Sequence, residues 1–230
     1  MPYGYTIPAG QAVGSNVQFK RAAYTDGCAE RMFTNTITIT WCNLYIGGVC
    51  WADENVAQPG TFAPRPDMYT ELYQWNQPDK ALPISGAVTE WTNNITAPAW
   101  TSTPCPKGWR MPTPDEYRAL NNAGGEYSGN AGGTWAVAEA RGAAVAGRFY
   151  GPNSASCSLP NNMTKCVFFP VGGRREGPNG SLINQSISGY AWHSMQYSST
   201  NGYYLSFHAA ASVPATNINK EGGLPVRCVQ

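Results

Sequence analysis

The sequence predicts an α+β fold of short antiparallel strands, one or two helices and much ordered loop. Three observations lead there. Turn formers are spread along the whole chain, with 25 Gly and 18 Pro in 230 residues, so most elements must be short. Charged residues make up only 13%, too few to cover the wet faces of many long amphipathic helices. One segment, beginning at Thr113, still carries a full helix-start signal.

The elements follow in order. Residues 1–42 read as an N-terminal arm or attachment segment, weakly periodic at first and interrupted by Pro2, Pro8, Gly10 and Gly14. Near its end, 32–41 alternates Thr with Ile37 and Ile39, a strand pattern. Residues 43–52 predict two short strands about Gly47-Gly48, a hairpin signal. Pro59, Pro64 and Pro66 make 58–70 a loop. Tyr73, Trp75, Trp91, Trp100 and Trp109 follow in polar, Pro-bearing sequence, where large aromatics pin loops to a core. In Thr113-Pro114-Asp115-Glu116, Thr is the N-cap, Pro takes the first helical position and Glu completes a capping box. Gly124-Gly125 ends that helix. A second helical stretch is predicted over Trp135–Ala144. Short strands return at 147–151, 165–171, 189–194, 202–208 and 224–229.

Composition also excludes functions. The formal charge is +1 with no basic cluster, so the chain lacks the electrostatic footprint of nucleic-acid binding. No apolar run reaches membrane-spanning length, which argues against membrane insertion. Residues 1–9 lack the charged and apolar regions of a secretory signal, so either the signal was removed or the protein leaves the cell by another route, for instance within a virus particle. Seven cysteines without a CxxC pair or Cys/His quartet favour disulfides over zinc, with at least one thiol left over. No P-loop, Gly-x-Ser-x-Gly or carboxylate pair is present, so no catalytic residues are assigned.

Three segments carry a family resemblance: VCWADENVAQPGTFAPRPDMYTELYQWN (49–76), PCPKGWRMPTPDEYRAL (104–120), and the end from GYAWHS to GLPVRCV (189–229). In this order and spacing they resemble the Fibrobacter-type major paralogous domain, a C-type-lectin-like module of bacterial surface proteins and phage receptor-binding proteins. The resemblance spans residues 43–230 and implies a C-type-lectin-like ligand-binding domain there. It brings Cys105 and Cys228 together, a bridge closing about 120 residues and worth at most ~4–5 kcal/mol. Cys157–Cys166 and Cys42–Cys50 are lesser candidate pairs, with Cys28 free. Trp109 and Trp192 read as core anchors.

Some members of that family are targets of diversity-generating retroelements, which randomise adenines in the 3′ coding region. Gly189, Trp192, Ser194, Tyr203, Tyr204, Leu205, Phe207, Arg227 and Cys228 keep the family frame. Ala191, His193, Met195, His208, Ala210, Ala215, Ile218 and Glu221 depart from it. Changing the adenines of an Asn codon yields Ala, His or Ile but not Met or Glu, so the scatter only partly fits that chemistry.

The resemblance implies a non-enzymatic receptor-binding module, or adhesin, on a phage tail or fibre or on a bacterial surface. Its expected contacts are Tyr190, Ala191, His193, Met195, Tyr197, Asn201, His208, Asn217, Ile218, Asn219 and Glu221, clustered on one exposed face. Trp192, Leu205, Phe207 and Val226 should point inward. Tyr supplies rigid contact area and Asn adaptable hydrogen bonds. The expected partner is a host cell-surface protein or glycan, met by a homo-oligomer (a trimer is favoured) because weak sites gain from multivalency. No cofactor or metal is expected. Trp75-Asn76-Gln77-Pro78-Asp79 mimics a calcium-dependent sugar motif but precedes the helix, and reads instead as a turn. His193 and His208 lack a third metal ligand. Two alternatives stand: an oxidase of the formylglycine-generating type, using Cys157 and Cys166, and a structural subunit of a virion or pilus.

Overall fold

The computed structural model describes residues 17–23, 31–37, 42, 44–124, 133–137, 142–152, 154–159, 163 and 165–230. The chain forms two compact units, Met1–Asn43 and Leu44–Gln230. In the first, strands β1 (Val17–Ala23) and β2 (Arg31–Ile37) pair antiparallel, with Val17 opposite Ile37. Positions 38–41 of the expected strand, and Cys28, lie outside the described residues.

The second unit begins with β3 (Tyr45–Ile46) and β4 (Val49–Asn55), joined at Gly47-Gly48 as the hairpin signal predicts. Both glycines have positive φ (62° and 94°), and a Cβ on Gly47 would stand 2.9 Å from the Ala119 Cβ. The turn thus lies directly on helix α1 (Pro114–Ala123). Next come β5 (Thr134–Ala136), β6 (Gly147–Tyr150), β7 (Val167–Pro170), β8 (Arg174–Glu176) and β9 (Ser181–Ile183). The chain ends with β10 (Ser188–Gln196), β11 (Asn201–His208), β12 (Ser212–Asn219) and β13 (Arg227–Val229). They build small sheets ordered β13-β4-β3, β5-β6-β7, β8-β9 and β10-β11-β12. Pairing of β13 with β4 sets Arg227 opposite Asn55 and Val229 opposite Trp51, joining the two ends of this unit.

The α+β, C-type-lectin-like expectation is corrected by these elements: the described residues are mainly β, with thirteen strands in several small sheets and a single α-helix. The predicted second helix is also corrected. Thr134–Ala136 is a strand, with Trp135 opposite Arg148, and 138–141 lie outside the described residues. Local helix propensity there is overridden by long-range pairing with β6. Strand β12 escaped prediction because Pro214, Asn217 and Asn219 are poor strand formers.

Helix α1 is the element the sequence specifies most completely. Thr113 Oγ1 accepts from the Glu116 N–H (3.3 Å), and the Glu116 carboxylate accepts from the Thr113 N–H (2.8 Å). Its inner face buries Tyr117 and Leu120 in one core with Trp51, Phe169, Ala191, Leu205 and Phe207. A second core holds Tyr73, Trp75, Trp192, Leu224 and Val226 beside Cys105 and Cys228. Full burial of each large apolar side chain contributes about 1.5–3 kcal/mol.

Short sheets leave many loop carbonyls without a strand partner, and buried cations supply the missing donors. Arg227, with no solvent exposure, donates to Asn55 Oδ1 (2.8 Å), Ala52 O (2.9 Å) and Phe168 O (2.8 Å), and its guanidinium lies over the Phe169 ring. Arg175 donates to the carbonyls of Pro83, Gly86 and Gly180, and Arg148 to those of Gly133, His208 and Ala209. Burial lowers the Arg227 pKa to about 10, so it stays charged at neutral pH. Each of these arginines ties two or more distant segments together.

Candidate functional site

The outer end of the β10–β11 hairpin projects beyond the core. Met195 and Tyr197 are 52% and 55% exposed, whereas Gly189–His193 on the same strand are buried. Lys220, wholly buried, holds the turn from behind. Its Nζ donates to Ser199 O (2.9 Å), Gln196 Oε1 (3.0 Å) and Ala97 O (2.8 Å), and lies 5.5 Å from the centroid of Trp75. Opposite, Gly202 leaves room for Trp75, whose ring a Cβ there would strike. A row of rings connects turn and helix: Tyr197 on Tyr203 (5.2 Å), Tyr203 beside His193 (6.2 Å), and His193 stacked on Tyr117 (4.4 Å).

The expected contact residues therefore divide. Met195, Tyr197, His208 and Asn219 are exposed, and Asn201, Asn217, Ile218 and Glu221 are partly exposed. Asn201 donates to Asn217 Oδ1 across the strands (2.8 Å), and Glu221 accepts from the Asn94 N–H. Tyr190, Ala191 and His193 are corrected: at 5%, 0% and 0% exposure they are core residues. The expected in-out alternation fails because β10 is covered on both faces, Ala191 joining the helix-side core and Tyr190 the Trp75 core. His193 lies beneath α1, where burial drives its pKa down to about 3, with Arg118 pushing the same way and the Pro214 carbonyl opposing. His208 sits opposite Ser188, away from His193, and its Nδ1 accepts from the Ala210 N–H. Trp192, Leu205, Phe207 and Val226 are buried, as expected.

Beside this turn is a cavity of about 410 Å³ that the sequence did not reveal. Three segments make it: loop 100–103, segment 110–113 leading into α1, and Ser194 of β10. The Ser194 N–H donates to Pro112 O (2.8 Å), and Arg110 exchanges backbone hydrogen bonds with Val229 (2.9 and 2.8 Å), which fixes one wall. The loop wall is fixed by Asn76, whose Oδ1 accepts from the Thr101 N–H (2.8 Å) and hydroxyl (3.2 Å). Asn76-Gln77-Pro78-Asp79 is a turn, as expected. At the rim, the Arg110 guanidinium grips Glu116 with two bonds (2.8 and 2.5 Å). Burial works against the Glu116 carboxylate, but the bonds from Arg110 and Thr113 outweigh it and hold its pKa below the usual range. The hydroxyl run Thr101-Ser102-Thr103 after an indole was the one available sequence signal for this site.

Cys105 and Cys228 form a disulfide with Cα atoms 6.0 Å apart, as do Cys157 and Cys166 at 6.4 Å. Cys42 and Cys50 are each disulfide-bonded. Among the described residues no group of three or more His, Cys, Asp or Glu is placed to hold a metal ion, and no helix is long and apolar enough to cross a membrane.

The fold and site define a β-rich module with a pinned surface turn and a preformed cavity. Residues 44–230 match the family described as the Fibrobacter succinogenes major domain, and the chain belongs to that family. No curated protein and no solved structure matches it.

Proposed function

We propose that residues 44–230 are a ligand-binding module, an adhesin that presents the Met195–Asn201 turn and neighbouring Asn217 and Asn219 to a cell-surface receptor. One observation carries this reading: large contact-capable side chains stand exposed on a turn whose base is fixed by the buried Lys220. Preorganisation of this kind lowers the entropy cost of binding. A phage tail or fibre, or a bacterial surface, is the setting in which several copies would engage one cell together.

The burial pattern limits any sequence diversification. Changes at Met195, His208, Ala210, Ala215, Ile218 and Glu221 fall on exposed or partly exposed positions, where substitution costs little. Ala191 and His193 are core positions, so their departures are packing changes. The test is attachment of the labelled full chain to intact cells from a panel of bacteria. Saturable attachment, abolished by excess unlabelled protein, is expected for some members; unsaturable or uniform adsorption contradicts the reading.

A further inference from the structure

We infer that the cavity between loop 100–103, segment 110–113 and Ser194 is a binding subsite for a neutral saccharide, an inference that rests on the binding-module reading. Its volume of about 410 Å³ is that of a small-ligand site. It suits a group of one or two sugar rings better than an extended chain.

The lining chemistry narrows the class. Trp100 and Met111 give the cavity its apolar wall. The Trp100 Nε1 is buried away from solvent and the ring packs against Trp75 (5.4 Å). The part of the indole left to face a ligand is therefore carbon, which suits the C–H face of a sugar ring. Around it stand hydroxyls in complementary states. Thr101 Oγ1 gives its proton to Asn76 and offers lone pairs. Thr103 and Thr113 Oγ1 each accept a backbone N–H, from Cys105 and Glu116, and keep a proton to donate. A sugar hydroxyl both donates and accepts, so a rim offering both matches it.

Charge argues for a neutral ligand. The one cation of the lining, Arg110, is already held by Glu116 through two hydrogen bonds, so an anion would have to displace an intramolecular carboxylate. The walls need little ordering on binding. Asn76 fixes Thr101, Lys220 fixes Ala97 at the start of the loop, and the Cys105–Cys228 bridge anchors its end. Ser194 adjoins the exposed Met195, so a glycan held here would run out along the proposed contact turn.

Titration of the full chain with methyl glycosides of neutral hexoses and N-acetylhexosamines, followed by NMR, tests this. At least one glycoside should shift the Trp100 indole and Ser194 amide signals saturably. Ser102→Ala with Ser194→Ala should weaken that affinity at least about tenfold, from the loss of two hydrogen-bonding groups, while Tyr197→Ala leaves it unchanged. Trp100→Phe, which retains an aromatic wall, should bind more tightly than Trp100→Ala. No shift with any glycoside, shifts confined to residues elsewhere, or shifts of the cavity signals by short uncharged peptides alone would overturn the inference. Cell attachment separates it from the parent reading. Attachment that survives periodate oxidation of the cells but not protease treatment rejects the saccharide and keeps the adhesin; attachment lost to periodate supports the saccharide.

Discussion

The imidazole of His193 lies flat on the ring of Tyr117, centroids 4.4 Å apart and planes 15° from parallel, in the layer between α1 and the β10-β11-β12 sheet. A histidine takes this place as a neutral aromatic plate. Neither ring nitrogen has a hydrogen-bond partner that would favour the cation, and the nearest influential charge, Arg118, disfavours it.

The first prediction concerns acid. The folded pKa of His193 is about 3 against an ordinary 6.5, so the unfolded chain takes up a proton that the folded chain refuses. This contribution to stability is complete above pH 6.5 and is lost as pH falls from there towards 3, at up to about 1.4 kcal/mol per pH unit. Urea midpoints from pH 7 to 4 should fall less steeply in His193→Gln than in the wild type. Equal slopes would show that other groups set the acid response.

Lys220→Met should destabilise the protein by about 1–3 kcal/mol, nearer the lower figure if water reaches the freed carbonyls of Ala97 and Ser199. The same change should speed amide exchange across 196–201, because the turn loses its inner anchor. Unchanged exchange in that segment would mean that Lys220 does not hold it.

Removing the Cys105–Cys228 bridge by Cys105→Ser with Cys228→Ser should cost about 3–5 kcal/mol, since it closes 123 residues of sequence. Denaturant unfolding under non-reducing conditions measures this. A loss below about 1 kcal/mol would make the bridge incidental to stability.

Gly202→Ala drives a methyl group into Trp75 and against Trp192. The expected cost is about 1–3 kcal/mol from overpacking, with altered near-UV dichroism from the displaced indoles. A neutral result would show that the Trp75 layer yields freely.

What the sequence made legible was local or strongly patterned. The capping box at Thr113, the Gly47-Gly48 hairpin and the inward Trp192, Leu205 and Phe207 follow from short-range signals. What it concealed depended on long-range covering. Nothing in GYAWHS reveals that α1 closes over His193, so a polar residue in an alternating strand read as outward-facing. Thr134–Ala136 looked helical because its neighbours are Ala-rich, and β12 looked like loop because pairing with β11 alone makes it a strand. The cavity joins segments separated by up to 94 residues, Trp100 to Ser194, and no spacing rule connects them.

The account's central claim is that binding occurs at the exposed turn on a fixed frame. Its most direct test is cell attachment by Met195→Ala with Tyr197→Ala, measured beside the melting temperature. Both side chains are more than half exposed, so stability should change by no more than about 0.5 kcal/mol. Attachment should fall at least about tenfold, as for loss of an aromatic anchor worth about 1.4 kcal/mol or more. Undiminished attachment by a variant that melts like the wild type would contradict the claim.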